Sequence, residues 1–359
     1  MKENVWYAAI TPGLEHIVVQ ELAYEGIEGK IEFGGVRFSA TKERGSQLVL
    51  ELFSPNKIRM LLKKSKIQGL SDINKALSSI DWKTLISTHV PIVIEVQTRK
   101  SRFFRKDIIR TKSERCMRSI IGDPAPHRQV QTIFLHIEDN DLSIYLDAGG
   151  GLLHRRGWRK KQGKASLRET YASALLIASG WTPQEPLWDP FCGSGTIPIE
   201  AARMAMEMTI GVNQTYPIEE WKLSTPVMQR HGSKIKYSIT GSDHHEESIF
   251  MSTENAHHIA PRIRWIHCQV EKCPVEQQAG IFVCNPPYGK RLGKNVSSVY
   301  RNLGVLLSKN PTWRAAFLAP NSSFAKMVSK KAKRHTTFSN GGTKVGIWFV
   351  SPLTVTDDD

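Results

Sequence analysis

Apolar and polar positions along the chain follow two different periods, and the change from one to the other divides it. The run VWYAAI at 5–10 is strand-like, and a TPG turn follows. Leu14, Ile17, Val18 and Leu22 then recur at helical spacing. GKIEFGGVRFSA at 29–40 alternates as a pair of strands. Ile58, Leu61 and Leu62 share a helical face and predict a helix there. Ile92–Val96 reads as a strand leading into a basic stretch and a helix that ends near Gly122. IFLHIEDNDLSIYLDAGG alternates as a hairpin with Asn140-Asp141 as its turn.

From Ala165 the texture becomes a regular alternation of strands and helices. Ser166 with Glu169 forms a capping-box pattern, and Leu167, Tyr171, Leu175 and Ala178 share a helical face that stops at Gly180. EPLWDPF reads as a short strand, followed by a glycine turn and a helix opening at Thr196. Pro198 is tolerated in that helix's first turn. IKYSITGSD, GIFVCNPP and WRAAFLAP are further strands, and HTTFSNGGTKVGIWFV closes as a hairpin around Asn340-Gly341. The pattern predicts an α/β domain: an open, mostly parallel, doubly wound sheet with an antiparallel C-terminal hairpin. Such sheets bind ligands beyond the carboxyl ends of their strands. The Gly149-Gly150-Gly151 cluster marks the best boundary before it.

Composition narrows the class. The 359 residues are 40% hydrophobic and 23% charged, which is globular and excludes a disordered or collagenous chain. No apolar run approaches the ~18 residues of a membrane span, and the first residues lack a secretory pattern. Five cysteines without a CxxC pair indicate neither a disulfide framework nor a zinc ribbon, so reducing cytoplasm is the expected compartment. The net charge of +15 points to a polyanionic partner.

Three basic runs carry that charge. Lys57, Arg59, Lys63, Lys64 and Lys66 form the first. The second joins Arg99, Lys100, Arg102, Arg105 and Lys106 to Arg110, Lys112, Arg115 and Arg118, with Phe103 and Phe104 offering stacking surfaces. The third sets Arg155, Arg156, Arg159, Lys160, Lys161, Lys164 and Arg168 around Trp158. A single run of this kind is as often a solvated face; three together favour phosphate contacts.

Two segments carry chemistry. In Asp189-Pro190-Phe191-Cys192-Gly193-Ser194-Gly195-Thr196 an acid ends a strand and glycines turn the backbone tightly before a helix, a geometry suited to an adenosyl ligand. The spacing matches neither GxGxxG nor a phosphate loop, which disfavours a dinucleotide or a nucleoside triphosphate. In Asn285-Pro286-Pro287-Tyr288 the second proline holds Pro286 extended. The Asn285 side-chain oxygen and the Pro286 carbonyl are then two acceptors at fixed separation for the hydrogens of an exocyclic amino group. Accepting both favours a pyramidal nitrogen whose lone pair faces an electrophilic methyl group, with no strong base required. Tyr288 can stack on an extruded base.

These segments, in this order, resemble class I S-adenosylmethionine-dependent methyltransferases of the amino-methylating type. LDAGGGLLHRRGWRK, ASLRETYASALLIASGW, DPFCGSGTIPIEAA and NPPYGKRLG together resemble the THUMP-domain RNA methyltransferases, which include makers of N2-methylguanosine in 23S rRNA and in tRNA. The resemblance implies a Rossmann-like class I sheet preceded by an N-terminal α+β ferredoxin-like/THUMP module. The implied division is 1–55 ferredoxin-like, 56–150 THUMP-like and RNA-binding, 151–164 a basic linker, and 165–359 the methyltransferase. It further implies S-adenosylmethionine as cofactor and a structured RNA partner for a monomer without metal or membrane.

Carried over residue by residue, Asp189, Cys192, Gly193, Ser194, Gly195 and Thr196 hold the cofactor with Asp243, His244, Gln269 and Asn285. Asp243 faces the ribose, and Asn285, Pro286, Pro287 and Tyr288 hold the target base. Ser166 and Thr170 approach the cofactor carboxylate. Arg99, Lys100, Arg102, Phe103, Phe104, Arg105 and Lys106, with Arg155, Arg156, Trp158 and Arg159, are the expected RNA contacts. Two positions depart from the pattern: Gln269 replaces the usual adenine-contacting Asp, and Gly280 stands where an acid is common. A DNA adenine-N6 methyltransferase and a non-catalytic RNA-binding assembly factor are the alternatives. His244-His245 and His257-His258 read as surface histidines, since no cysteine or acid completes a ligand set.

Overall fold

A computed structural model describes residues 3–87, 90–122, 129–163, 166–211, 214–223, 226–228, 237–288 and 296–352. Lys164, Ala165, Ile235, Gly289 to Gly293 of the NPPYGKRLG segment, and the acidic tail from Asp357 lie outside them. The chain divides into two compact units: residues 1–10, 22–153 and 213–228, and residues 11–21, 154–212 and 229–359.

The first unit is built in chain order from β1 (Glu3–Ala9), the end of α1 (Glu15–Tyr24), β2 (Gly29–Glu32), β3 (Gly35–Thr41), α2 (Lys42–Glu51) and β4 (Lys57–Lys66). Then come α3 (Leu70–Ser78), α4 (Trp82–Leu85), β5 (Ile92–Arg99), α5 (Lys106–Ile121), β6 (Gln131–Glu138) and β7 (Asp141–Asp147). Its seven strands form one sheet in the order β2-β3-β1-β4-β7-β6-β5, so 1–55 and 56–150 share a single sheet through the β1–β4 pairing, with Trp6 opposite Met60.

The helix expected through Ile58, Leu61 and Leu62 is instead β4. Its pairing with β7 slips between Leu61 and Lys63, and that irregularity breaks the two-residue alternation into a spacing that imitates a helix. The β6–β7 turn also sits one residue earlier than expected: Asp139 and Asn140 both take positive φ, 50° and 66°. Lys57 and Arg59 of the first basic run point at the buried Asp147, 3.1 and 3.4 Å away, and hold its charge inside the sheet. In α5, Ile109, Ser113 and Met117 are buried, while Lys106, Arg110, Lys112, Arg115 and Arg118 are exposed.

The second unit continues with α6 (Glu169–Ala178), β8 (Leu187–Asp189), α7 (Thr196–Ala205), β9 (Ile239–Asp243), α8 (Glu246–Ala256), β10 (Arg264–His267) and β11 (Ile281–Cys284). It ends with α9 (Val296–Lys309), β12 (Arg314–Ala319), α10 (Ser322–Val328), β13 (Lys333–Asn340) and β14 (Thr343–Val350). Strand order is β10-β9-β8-β11-β12-β14-β13, parallel except for the closing hairpin. β8 lies between β9 and β11, so the order reverses there and the loops leaving β8 and β11 diverge above one crevice. The buried core includes Trp188, Phe282, Tyr300, Trp313 and Phe317.

The capping box does not form. α6 starts after Arg168, Ser166 instead meets the Ser194 hydroxyl at 3.1 Å, and Glu169 pairs with Arg159 at 2.9 Å. In the third basic run Arg155, Lys160, Lys161 and Arg168 are exposed, but Arg156 and Arg159 turn inward with Trp158. Arg156 is 1% exposed beside Glu200 at 3.4 Å, and Trp158 is 3% exposed with its indole N–H on Glu200 at 2.9 Å. Arg159 donates to Ser194 at 2.8 Å and Thr196 at 3.0 Å. The expectation that Arg156, Trp158 and Arg159 touch RNA is therefore corrected: side chains committed to internal acids and hydroxyls are withheld from a phosphate. Arg155 alone of the four is exposed.

Candidate functional site

A cleft of about 1320 Å³ opens above the carboxyl ends of β8, β9 and β11. Of the residues expected at the site, Asp189, Cys192, Gly193, Ser194, Thr196, Asp243, His244, Gln269, Asn285, Pro286, Pro287 and Tyr288 all line it.

The loop after β8 is held by its own backbone and by its neighbour strand. The Phe191 N–H donates to Asp189 Oδ1 at 3.0 Å, Cys192 N–H to the Ser242 carbonyl at 2.9 Å, and Gly195 N–H to the Cys192 carbonyl at 2.8 Å. Gly193 takes φ +53°, and a Cβ there would meet nothing within 4 Å, so its backbone faces open cleft. Gly195 differs. At φ +85° a Cβ would strike the Trp265 ring at 2.9 Å and Ser252 at 3.0 Å. It does not line the cleft, and its missing Cβ lets the loop pack against Trp265 and Ser252. Thr170, 1% exposed, also lies outside the lining, whereas Ser166 is within it.

Asp189 is 1% exposed, and burial, with the Asp243 carboxylate beside it, pushes its pKa well up. Burial likewise raises the Cys192 thiol, which makes it a poor nucleophile. At the end of β11, Asn285 Oδ1 is buried and has no hydrogen-bond partner among the described residues. Tyr288 is half-buried, and its phenol oxygen accepts from Asn340 Nδ2 at 2.6 Å.

Gly280, by contrast, sits at the opposite end of β11, where a Cβ would meet the Pro186 carbonyl at 2.6 Å and Trp313 at 2.8 Å. Packing demands the glycine, and its lack of an acid does not bear on the cleft. Glu271, two residues after Gln269, lines the cleft and accepts from Asn302 Nδ2 at 3.0 Å. Sequence reading missed Glu271 and Asn302, and it placed the Asn340-Gly341 turn correctly without placing it at the cleft. An acid offset by two residues was the available signal for Glu271; nothing in the letters tied the hairpin turn to the site. The open backbone at Gly193, the acid ends of β8 and β9 and the orphaned Asn285 oxygen fit an adenosyl cofactor beside an amino-bearing base. Among the described residues no group of three or more His, Cys, Asp or Glu is placed to hold a metal ion, and no helix is long and apolar enough to cross a membrane.

Comparison with known proteins matches residues 156–346 to the family model UPF0020, described as RMKL-like, methyltransferase domain. The chain is 29% identical over 364 residues to slr0064 of Synechocystis sp., a candidate RNA methyltransferase by name, covering 94% of each. It is 29% identical over 328 residues to the ribosomal RNA large subunit methyltransferase K/L of Photobacterium profundum, covering 84% of this chain and 46% of that one. It thus spans about half the length of the K/L enzymes it matches. Among solved structures, SMU.472, a candidate methyltransferase complexed with SAH, superposes with a TM-score of 0.87 at 22% identity, covering 99% of this chain and 100% of that one. TrmN of Thermus thermophilus superposes at 0.75 and 17%, covering 98% and 100%. These likenesses establish the class I methyltransferase fold.

Proposed function

Because the chain belongs to the family of RMKL-like methyltransferase domains, we propose that it is an S-adenosylmethionine-dependent RNA methyltransferase acting on the exocyclic N2 of a guanine in ribosomal or transfer RNA. The observation that carries this reading is Asn285 Oδ1, buried in the cleft wall without a partner among the described residues. A buried acceptor left unpaired costs about 1–3 kcal/mol, which a ligand N–H offsets.

Asp189, the Gly193 backbone, Asp243 and Gln269 would hold S-adenosylmethionine, which when bound supplies an electrophilic methyl group. Asn285 and the Pro286 carbonyl accept the two hydrogens of the target amino group. They withdraw it from conjugation with the ring and aim its lone pair. Tyr288 stacks on the flipped base. Fixed acceptors in a half-buried site need no reorganisation during transfer, so positioning and polarisation supply the rate. These acceptors suit adenine N6 as well; the relatives named for RNA methylation, and the basic first unit, support RNA over DNA as the substrate, and guanine N2 is the choice proposed here within it.

We assign 1–55 as ferredoxin-like, 56–150 as a THUMP-like RNA-binding module and 165–359 as the methyltransferase domain. Arg99, Lys100, Arg102, Phe104, Arg105 and Lys106 are all exposed, Phe104 to 71%, and Arg102 lies over the Phe103 ring at 5.1 Å. That combination of cations and open aromatic faces suits phosphates and unstacked bases. Mass spectrometry of nucleosides from ribosomal and transfer RNA, with and without the gene, tests the reading. Loss of one N2-methylguanosine supports it, and an unchanged nucleoside inventory overturns it.

A further inference from the structure

The cleft has a wall that the sequence motifs do not include. The β13–β14 turn contributes Asn340, Gly341, Gly342 and Thr343 to the same lining as Asn285 and Tyr288. Gly341 and Gly342 both take left-handed φ, 57° and 82°, which closes the hairpin in two residues. The strand leading into that turn is anchored: Tyr171 packs against Phe338 with ring centroids 5.0 Å apart, and its hydroxyl donates to the Ser339 carbonyl at 3.4 Å. Asn340 therefore leaves a fixed strand end, and its amide reaches the Tyr288 phenol oxygen at 2.6 Å.

We propose that Asn340 is a positioning residue for methyl transfer, setting the axis of the Tyr288 ring and hence the plane in which the target base stacks. The proposal deepens the functional reading above and rests on it for the base. A hydrogen bond at the phenol oxygen leaves ring flips free but fixes where the ring axis points. A neutral phenol also keeps its own proton, and burial, the larger influence, pushes the Tyr288 pKa upward. Tyr288 thus accepts from Asn340 while remaining a donor toward the cleft. Without the amide the ring can swing away, and a base that stacks askew presents its amino group to Asn285 at the wrong height. Misplacement of this kind lowers turnover while leaving the adenosyl end of the cleft unaltered.

The experiment compares wild type, Asn340→Ala, Tyr288→Phe and the double variant, reading kcat and KM for the RNA and the calorimetric affinity for S-adenosylhomocysteine. Asn340→Ala is expected to lower kcat/KM about tenfold, the effect of removing one hydrogen bond, with cofactor affinity within about twofold of wild type. The double variant should match Tyr288→Phe within about twofold, because the amide acts only through the phenol oxygen. Asn340→Asp, which can accept the phenol proton instead, should recover most of the activity. Wild-type activity in Asn340→Ala, or losses that multiply in the double variant, would overturn the proposal. If the wild type methylates no RNA, the functional reading fails, and 3-fluorotyrosine at position 288 still decides this point. Its fluorine resonance moves and broadens in Asn340→Ala if the amide holds the ring, and stays put if it does not.

Discussion

The backbone N–H of Gly193 donates to Asp243 Oδ2 at 3.1 Å, so the acid ending one strand closes the glycine turn that follows its neighbour. The other oxygen accepts from the His245 N–H at 2.9 Å. Asp243 therefore fastens two loops before any ligand arrives, and its remaining lone pairs are aimed by those bonds. If Asp243 meets the cofactor as proposed, one carboxylate sets both loop and ligand geometry.

The two glycines of that turn should respond differently to a methyl group. Gly195→Ala combines strain at φ +85° with a clash at Trp265, and is expected to cost about 1–3 kcal/mol of stability in urea unfolding. Gly193→Ala adds only the left-handed strain at φ +53°, about 1 kcal/mol, with no clash, and should lose affinity for S-adenosylhomocysteine at least tenfold. Equal stability losses at both positions would refute the division of labour.

Removing the orphaned acceptor should separate chemistry from binding. Asn285→Ala is expected to lower kcat by about 10²–10³, the scale for deleting one aligned polar group at a reacting centre. Calorimetry should find the cofactor bound within about twofold of wild type. Comparable turnover in the variant ends the assigned role.

Arginines from the two halves should behave as different kinds of residue. Charge reversal at Arg102, Arg105 and Lys106, all exposed, should weaken RNA binding and flatten its salt dependence by about one slope unit for each phosphate no longer neutralised. Arg156→Ala instead strips a partner from the buried Glu200, and should cost about 3–5 kcal/mol of stability. A salt slope unchanged by the first variant puts the docking face elsewhere.

His154 should make the protein acid-sensitive. Its burial, with the guanidinium groups of Arg168, Arg155, Arg156 and Arg159 around it, lowers its pKa from 6.5 to about 4. As pH falls below 6.5 the unfolded chain takes up the proton first, so stability present above 6.5 is lost progressively down to about 4. His154→Gln should reduce that loss, measured as urea midpoints at pH 7.5, 5.5 and 4.5. Parallel pH curves for the two proteins would contradict it.

The thiols should also rank clearly. A hydrogen bond from Cys273, 3.4 Å away, pulls Cys268 down to about 7, while burial pushes Cys192 and Cys284 up. Iodoacetamide at pH 8 is expected to alkylate Cys268 first, at a rate that rises through about pH 7 and falls when Cys273 becomes Ser. Peptide mapping that finds Cys192 or Cys284 modified first would reverse the order.

The second unit was the more legible in sequence because its signals are local. Asp189, Gly193 and Asn285 each sit at a strand's end beside a turn, and a doubly wound sheet leaves one place for such ends to meet. The β4 error arose from a long-range cause, since the slip against β7 depends on a strand nearly ninety residues later. The basic run around Trp158 misled for a related reason. Charge density is visible in the letters, but the buried Glu200 that draws Arg156 and Trp158 inward is some forty residues away. Asn340 carried no motif, because its importance lies in reaching Tyr288 across 52 positions.

Residues 11–21 belong to the second unit, with Leu14, Ile17 and Val18 fully buried and the Thr336 hydroxyl donating to the Gly13 carbonyl at 2.6 Å across 323 positions. During synthesis this helix leaves the ribosome roughly 15–65 s before the strand it docks against, at ~5–20 residues per second. The second unit therefore cannot close its contacts with this early segment until β13 has been synthesised.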